Sequence, residues 1–194
     1  MTDANARIEE MFAEAAEAVR RLSGPAGETL RRMAEVLKEA LDAGNRVYVC
    51  GNGGSAADAQ HIAGELAGRF RRDRRALPCV ALTTDTSVLT AVGNDYDFER
   101  VFSRQVEALA VAGDVLWALS TSGNSPNVLA AARAARDRGA KVLAMTGADG
   151  GALADLADVC LRAPATRTDL IQLLHQVAYH VLCELLDEHF AATG

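Results

Sequence analysis

The stretch Arg46-Val-Tyr-Val-Cys50-Gly-Asn-Gly-Gly-Ser55 decides the fold of this chain. Its first half is a short apolar run typical of a buried strand, and the proline-free residues 56–70 that follow predict a helix. The glycines between them predict a strand–loop–helix joint whose backbone N–H groups can face an anionic or polyhydroxy ligand. Glycines can also serve only a tight turn and a close approach of helix to strand, so both interpretations stay open here.

His61 and Glu65 lie in this predicted helix, one turn apart. Residues four apart share one face of a helix, so the imidazole and the carboxylate can together bind a metal, or act as a base beside one. Pairs of this kind are more often solvated neighbours on a helix surface. Their position directly after a glycine loop favours a functional role.

Outward from this joint, strand-like apolar runs alternate with helical patterns. Strands are predicted over 46–50, 79–83, 114–120, 140–146 and 158–162, and helices over 55–69, 86–92, 98–111, 126–138, 150–156 and 168–190. Continuous apolar runs such as 115–119 suit a parallel sheet that is buried on both faces. The sequence therefore predicts an α/β fold, a doubly wound three-layer α/β/α domain with a five-stranded parallel sheet, in which ligands lie at the carboxyl ends of the strands.

The residues before the joint predict helices. Apolar side chains recur at helical spacing over two stretches, which the breaker sequence Ser23-Gly-Pro-Ala-Gly27 separates. We therefore predict two N-terminal helices, with residues 1–44 as a helical segment for oligomerisation and residues 45–194 as the α/β domain.

A second polar loop, Ser120-Thr-Ser-Gly-Asn-Ser125, follows another predicted strand. Pro126 suits the first position of a helix, which makes Ser125 the predicted N-cap. An ordinary capped turn needs one hydroxyl group, and this loop has four, which favours a phosphate held by hydroxyls and by free helix N–H groups. The loop lacks the lysine of nucleotide triphosphatases, so the phosphate is expected on a small molecule.

Polar residues also interrupt the last predicted helix. Gln172 and His180 fall roughly 80° apart on one broad face, and they could complete a site that His61 and Glu65 begin. Two imidazoles and a carboxylate suit zinc, although an amide is a weak ligand. Spacing alone leaves this joining open, and the other two histidines are interpreted as structural or solvated.

Composition narrows the class of protein. A chain of 194 residues with 49% hydrophobic residues fits one domain, and its net charge of −6 argues against a nucleic-acid surface. No apolar stretch reaches the ~18 residues of a membrane span, and the first residues do not resemble a signal peptide. The four scattered cysteines form no C-x-x-C motif and are predicted to be free thiols. A cytoplasmic protein without nucleic-acid or membrane partners is therefore expected.

Four motifs together carry a resemblance to a known family. They are Gly51-Asn-Gly-Gly-Ser-Ala-Ala-Asp-Ala-Gln-His61, Ala91-Val-Gly-Asn-Asp95, Ser120-Thr-Ser-Gly-Asn-Ser125 and Thr146-Gly-Ala-Asp-Gly-Gly151. The set resembles the SIS (sugar isomerase) family over nearly the whole chain, and within it the phosphoheptose isomerases. The resemblance implies a cytoplasmic homotetramer, with zinc in the site of many members. It also implies conversion of D-sedoheptulose 7-phosphate into D-glycero-D-manno-heptose 7-phosphate, the first step toward the activated heptose of surface glycans.

The resemblance implies roles for individual residues as well. One zinc ion per subunit would have four ligands, which are His61, Glu65, Gln172 and His180. Substrate contacts are implied at Asn52, Gly53, Gly54, Ser55, Glu65, Arg69, Asn94, Asp95, Ser120, Thr121, Ser122, Ser125, Asp169 and Gln172. Isomerisation through a cis-enediol needs a base and a partner acid, and Glu65 and His180 are the predicted catalytic pair.

One departure and two rival classes accompany this resemblance. The usual Arg-Ile-Gln-Glu-x-His of the family reads Leu170-Ile-Gln-Leu-Leu-His175 here, which bears on loop anchoring and sugar preference rather than on the ligand set. Non-catalytic relatives of the same family bind the bacterial replication-initiator protein and lack the terminal-helix histidine, which is present here as His180. Sugar-phosphate regulators usually carry a DNA-binding domain, for which this sequence gives no pattern.

Overall fold

The predicted sheet is present in the computed structural model, which describes residues 3–192. Five parallel strands pair in the order β2-β1-β3-β4-β5. The strands are β1 Val47–Cys50, β2 Cys79–Ala81, β3 Val115–Ser120, β4 Lys141–Thr146 and β5 Val159–Arg162. Every residue of β1 and β3 is buried, as strands covered by helices on both faces require.

Helices cover both faces of this sheet and confirm the three-layer prediction. The α-helices are α1 Ala4–Asp42, α2 Gly54–Ala67, α3 Thr86–Asp95, α4 Ser103–Leu109, α5 Pro126–Asp137, α6 Gly151–Leu156 and α7 Thr168–Ala192. Helices α1, α2 and α7 pack with Trp117 on one face, and α4, α5 and α6 pack with Leu116 on the other. The predicted helix 98–111 is divided into a turn of 3-10 helix, Phe98–Arg100, and α4.

The predicted break in the N-terminal helices is wrong. Helix α1 runs without interruption through residues 23–27, although the sequence there contains two glycines and a proline. Leu22, Ala26 and Leu30 follow one another at helical spacing and are all buried in the chain's own core. Because this apolar face continues across the breaker residues, its packing outweighs their low helix propensity.

Strand order brings two loops to one place. β1 lies between β2 and β3, so the chain leaves β1 toward one side of the sheet and later returns on the other. The loops that follow β1 and β3 therefore meet at the topological switch point, where open α/β sheets bind their ligands. No helix within residues 3–192 has both the length and the apolar character needed to cross a bilayer.

Candidate functional site

The loops after β1 and β3 are joined by a pair of amides. Asn52 and Asn127 exchange two hydrogen bonds, each with 2.8 Å between nitrogen and oxygen. Asn52 belongs to the glycine loop and Asn127 lies buried in the first turn of α5. The pair fixes the two loops relative to each other, so both can contact one ligand.

The glycines of the first loop serve a turn and a close approach together. Gly53 has a φ of 55°, a left-handed value that favours glycine. Gly54 begins α2, and a Cβ atom built on it would lie only 2.6 Å from Nε2 of Gln172. The amide of Gln172 therefore lies against the loop backbone, in space that a larger residue at position 54 would fill.

The hydroxyl groups of the second loop face the loop itself. Ser120 Oγ and Ser125 Oγ are 3.0 Å apart, and Ser122 Oγ accepts a hydrogen bond from a backbone N–H of the same loop at 3.1 Å. Ser125 is the N-cap of α5 by position, as predicted, but its side chain makes no capping hydrogen bond. Thr121 and Ser122 line an open cavity of about 280 Å³, which the loop after β4 completes.

Three predicted ligand residues come together on α2 and α7. One ligand atom each of His61, Glu65 and His180 lies within 4.8 Å of the others. Nε2 of His61 is 3.0 Å from Oε1 of Glu65 and 3.4 Å from Nε2 of His180. The His61 side chain is 40% exposed, so the group opens to solvent. The joining that spacing left open is thus present for these three, whereas the amide of Gln172 lies against Gly54.

His180 is held in an aromatic setting. The Phe70 ring stacks on its imidazole, with 5.6 Å between centroids and 14° between ring planes. Burial, together with the neighbouring His61, lowers the pKa of His180. The neutral imidazole is therefore favoured, and this is the form that binds a metal or accepts a proton.

His61 has a second set of partners behind it. The hydroxyl oxygen of Tyr179 lies 3.0 Å from Nδ1 of His61 and donates to Oδ1 of Asp58 at 3.4 Å. Burial raises the pKa of Asp58 and that of Tyr179. The two ring nitrogens of His61 therefore face different neighbours, Nδ1 toward Tyr179 and Nε2 toward Glu65 and His180.

A buried ion pair anchors the loop that carries Phe70. The side chains of Arg74 and Asp187 are 1% and 0% exposed, and Nε of Arg74 lies 2.9 Å from Oδ1 of Asp187. The other oxygen of Asp187 accepts hydrogen bonds from two backbone N–H groups that directly follow Phe70. Arg74 also donates to backbone carbonyls at the end of α2, including that of Glu65 at 2.7 Å. The Arg74–Asp187 pair thus connects α2 and α7, the two helices that carry His61, Glu65 and His180.

The remaining predicted contacts lie at the surface of this chain. Asp169 is exposed in the first turn of α7, where a bidentate ion pair with Arg167 holds the pKa of its carboxyl at about 2. Arg69 is exposed just after α2. Asn94 donates to Asp95 at 2.8 Å, and both are exposed at the end of α3. Within residues 3–192, no hydrogen bond joins these residues to the His61 group.

Comparison with known proteins identifies the family. The sequence model of the SIS domain matches residues 10–147. The chain belongs to the SIS-domain family. Phosphoheptose isomerase from Aliarcobacter butzleri is 51% identical over 164 residues, which are 84% of this chain and 87% of that protein. Phosphoheptose isomerase from Aquifex aeolicus is 48% identical over 182 residues, 94% of this chain and 95% of that protein.

Solved structures of phosphoheptose isomerases have the same fold as this chain. A phosphoheptose isomerase from Neisseria gonorrhoeae superposes with a TM-score of 0.91 at 45% identity, covering 96% of this chain and all 100% of that one. A phosphoheptose isomerase from Francisella tularensis superposes with a TM-score of 0.93 at 36% identity, with the same coverage of 96% and 100%.

Sequence reasoning missed several residues that support this SIS-domain site. Asp58 gave a usable signal, since it lies one turn before His61 on the same helix face. Tyr179 gave none, because it falls within the apolar stripe by which α7 enters the core. Nothing in the sequence predicts the buried pair of Arg74 and Asp187, since charged residues far apart in sequence are usually solvated and unpaired.

Proposed function

We propose that this chain is an aldose–ketose isomerase that converts D-sedoheptulose 7-phosphate into D-glycero-D-manno-heptose 7-phosphate. This is the first step of activated heptose biosynthesis. The observation that carries the proposal is the gathering of His61, Glu65 and His180 in a chain with the fold of a phosphoheptose isomerase. His61 lies two helical turns, about 10 Å, beyond Gly54 on α2.

The reaction needs two proton transfers at adjacent carbons. A base removes a proton from C1 of the ketose, the resulting cis-enediolate holds the negative charge on its oxygens, and an acid returns a proton to C2. Oε1 of Glu65 faces His61, which leaves Oε2 for the transfer at carbon. His180 is the proposed partner that moves the proton between the oxygens, and its lowered pKa favours the neutral imidazole that accepts this proton.

A zinc ion fits the ligand group. Two imidazole nitrogens and one carboxylate oxygen are a donor set that catalytic zinc sites use. We propose about one zinc per subunit on His61, Glu65 and His180, with Gln172 as the fourth ligand that the resemblance implies. When bound, zinc would act as a Lewis acid that polarises the substrate oxygens.

The second polar loop, residues 120–125, is the proposed phosphate site. Asn52 to Ser55 and Ser120 to Ser125 provide backbone N–H groups and hydroxyls at the switch point, where the α2 and α5 N-termini add favourable dipoles. Asn94, Asp95, Arg69 and Asp169 remain proposed sugar contacts. Because they are exposed here, a neighbouring subunit can bring them, or their equivalents, into a shared site.

Loss of a loop hydroxyl should weaken substrate binding more than turnover. We expect Ser122→Ala and Ser125→Ala to raise KM roughly 10- to 100-fold, because a hydrogen bond to a charged group contributes about 1.5–3 kcal/mol. The kcat should change little, since a remote anchor binds substrate and transition state alike. Ser23→Ala on the exposed face of α1 is the matched control. Steady-state kinetics in which both loop variants keep the wild-type KM would place the phosphate elsewhere.

A homotetramer is proposed because α1 leaves part of its apolar face uncovered. From Ala18 onward the face is buried in the chain's own core. Ile8, Met11 and Phe12 are 52%, 46% and 74% exposed, and they line an open cavity of about 430 Å³ with Leu170 and Leu173. Residues 1–44 therefore supply the proposed contact between subunits.

Light scattering tests this assembly. At micromolar concentration the mass should be four times the 20.5 kDa of one chain, and Phe12→Arg should lower it. Glu9→Gln, an exposed change in the same helix, should not alter the mass. A wild-type monomer would rule out the tetramer.

A cytoplasmic location is also proposed, since the cysteines of the described residues are free thiols.

An assay in deuterated water tests the function as a whole. The purified protein should convert sedoheptulose 7-phosphate into the aldoheptose phosphate, with deuterium at C2, because the enediol exchanges protons with solvent. Product formed without deuterium would favour a hydride shift and remove the proposed roles of Glu65 and His180. No turnover on any ketose phosphate, with metal bound and the assembly intact, would instead support the non-catalytic class that binds the replication-initiator protein.

A further inference from the structure

Tyr179 and Asp58 form a line of polar contacts that ends at His61. Tyr179 is fully buried, and its hydroxyl oxygen is 3.0 Å from Nδ1 of His61 and 3.4 Å from Oδ1 of Asp58. Asp58 lies one turn before His61 on α2, and Tyr179 immediately precedes His180 on α7. The two helices that supply the metal ligands thus also supply these supporting groups.

Counting hydrogen atoms separates two arrangements of these groups. A neutral imidazole has one N–H, a tyrosine has one O–H, and an ionised carboxylate only accepts. When Tyr179 donates to His61, the ring hydrogen must sit on Nε2, where it points at Glu65 and His180, and Asp58 has no donor. When Tyr179 donates to Asp58, the hydrogen of His61 sits on Nδ1 and points at Tyr179. Only the second arrangement satisfies all three groups and turns the Nε2 lone pair toward the ligand group.

We infer that Tyr179 and Asp58 are positioning residues that hold His61 with its hydrogen on Nδ1 and its Nε2 lone pair directed at the metal. This inference rests on the metal site proposed above and adds the residues that support it. Removing such an outer partner of a metal-binding histidine typically lowers metal affinity about 10- to 100-fold.

Packing alone gives a different expectation for the same residues. The Tyr179 ring belongs to the buried cluster around α7, and phenylalanine would keep that ring in place. Tyr48 is a matched control, because it is 2% exposed and its hydroxyl donates to the backbone oxygen of Leu109 at 3.1 Å, on the other face of the sheet. Both changes remove one hydroxyl from a buried tyrosine, and only one of them faces His61.

Chelator competition with zinc, on the full-length protein, measures the effect directly. We expect Tyr179→Phe to weaken zinc binding about 10- to 100-fold and Tyr48→Phe to leave it unchanged. Asp58→Asn should weaken binding too, because a neutral amide oxygen is a poorer acceptor for the tyrosine. The double variant should bind zinc no more weakly than Tyr179→Phe alone, because Asp58 acts through Tyr179.

Each other outcome overturns a defined part of the scheme. If wild type and His61→Ala bind zinc equally, the metal site is wrong and the inference falls with it. If His61→Ala binds zinc more weakly than wild type but Tyr179→Phe binds it as tightly as Tyr48→Phe, the metal site is supported. The proposed positioning of His61 by Tyr179 and Asp58 is then wrong. Additive losses of zinc affinity in the double variant would show that Asp58 acts by its charge alone. That result also overturns the proposal that Asp58 acts through Tyr179. Should Tyr179→Phe fail to fold, an unchanged affinity of Asp58→Asn overturns it.

Discussion

Glu65→Gln should lower kcat about 10²- to 10⁴-fold, which is the usual contribution of a general base. Glutamine keeps the shape of the side chain and an oxygen for the metal, but it cannot take a proton from carbon. The fold should be unaffected, since Glu65 is partly exposed and its backbone oxygen still accepts from Arg74. Steady-state kinetics with the zinc content of each preparation gives the result.

Controls separate proton transfer from metal binding in this variant. Glu188→Gln, an exposed change on α7, should keep the wild-type kcat. A fall in kcat with unchanged zinc content would assign the loss to basicity, and a parallel loss of zinc would assign it to the ligand role. His180→Gln should lower kcat by at least a similar factor, because it removes the second proton carrier. Full turnover in either variant would contradict the proposed pair.

The sequence predicts the layers of this fold because burial leaves a periodic pattern. Strands such as β3 are apolar on both faces, and every one of its residues is buried. The breaker sequence at 23–27 predicts an interruption of the helix, because local helix propensity contains no information about the core beneath it. Leu22, Ala26 and Leu30 on one face of α1 are all buried in the core, and that tertiary packing keeps α1 continuous.

The site was predictable to the extent that its residues lie in local motifs. His61 and Glu65 share a helix face, so their pairing follows from helix geometry. His180 joins them only because α2 and α7 pack together, and spacing cannot show this. The sequence predicts that Ser125 caps α5, whereas its hydroxyl group faces Ser120 across the loop. Positions within elements follow from sequence, but contacts between elements require the packed structure.

Removal of the Asp187 carboxylate should produce the largest loss of stability among the changes considered. We expect Asp187→Ala to lower the free energy of unfolding by about 3–5 kcal/mol, because it leaves the Arg74 guanidinium buried without its counter-charge. The two backbone N–H groups that Asp187 accepts from would also lose their partner. Urea unfolding at fixed protein concentration measures the change as a lower midpoint with an unchanged slope.

An exposed ion pair provides the comparison. Nη2 of Arg31 lies 2.6 Å from Oε1 of Glu28 on the outer face of α1, and both side chains are more than half exposed. Glu28→Ala should leave the urea midpoint close to that of wild type, since solvent screens such pairs. Equal losses in Asp187→Ala and Glu28→Ala would show that the buried pair contributes no more than the exposed one.

The same ion pair predicts a defined sensitivity to acid. Burial acts to raise the pKa of Asp187, but the hydrogen bonds from the Arg72 and Arg71 amides and from Arg74 outweigh it, so the pKa is lowered. The unfolded chain, with an aspartate pKa of about 3.9, therefore binds a proton at Asp187 more readily than the folded chain. The contribution of Asp187 to stability is complete above that value and is lost as the pH falls through the lower, folded pKa.

Asp187→Asn should flatten the fall of stability with acid in urea titrations between about pH 5 and pH 2, because asparagine has no proton to bind. An equally steep fall in Asp187→Asn and wild type would assign the acid sensitivity to other carboxylates.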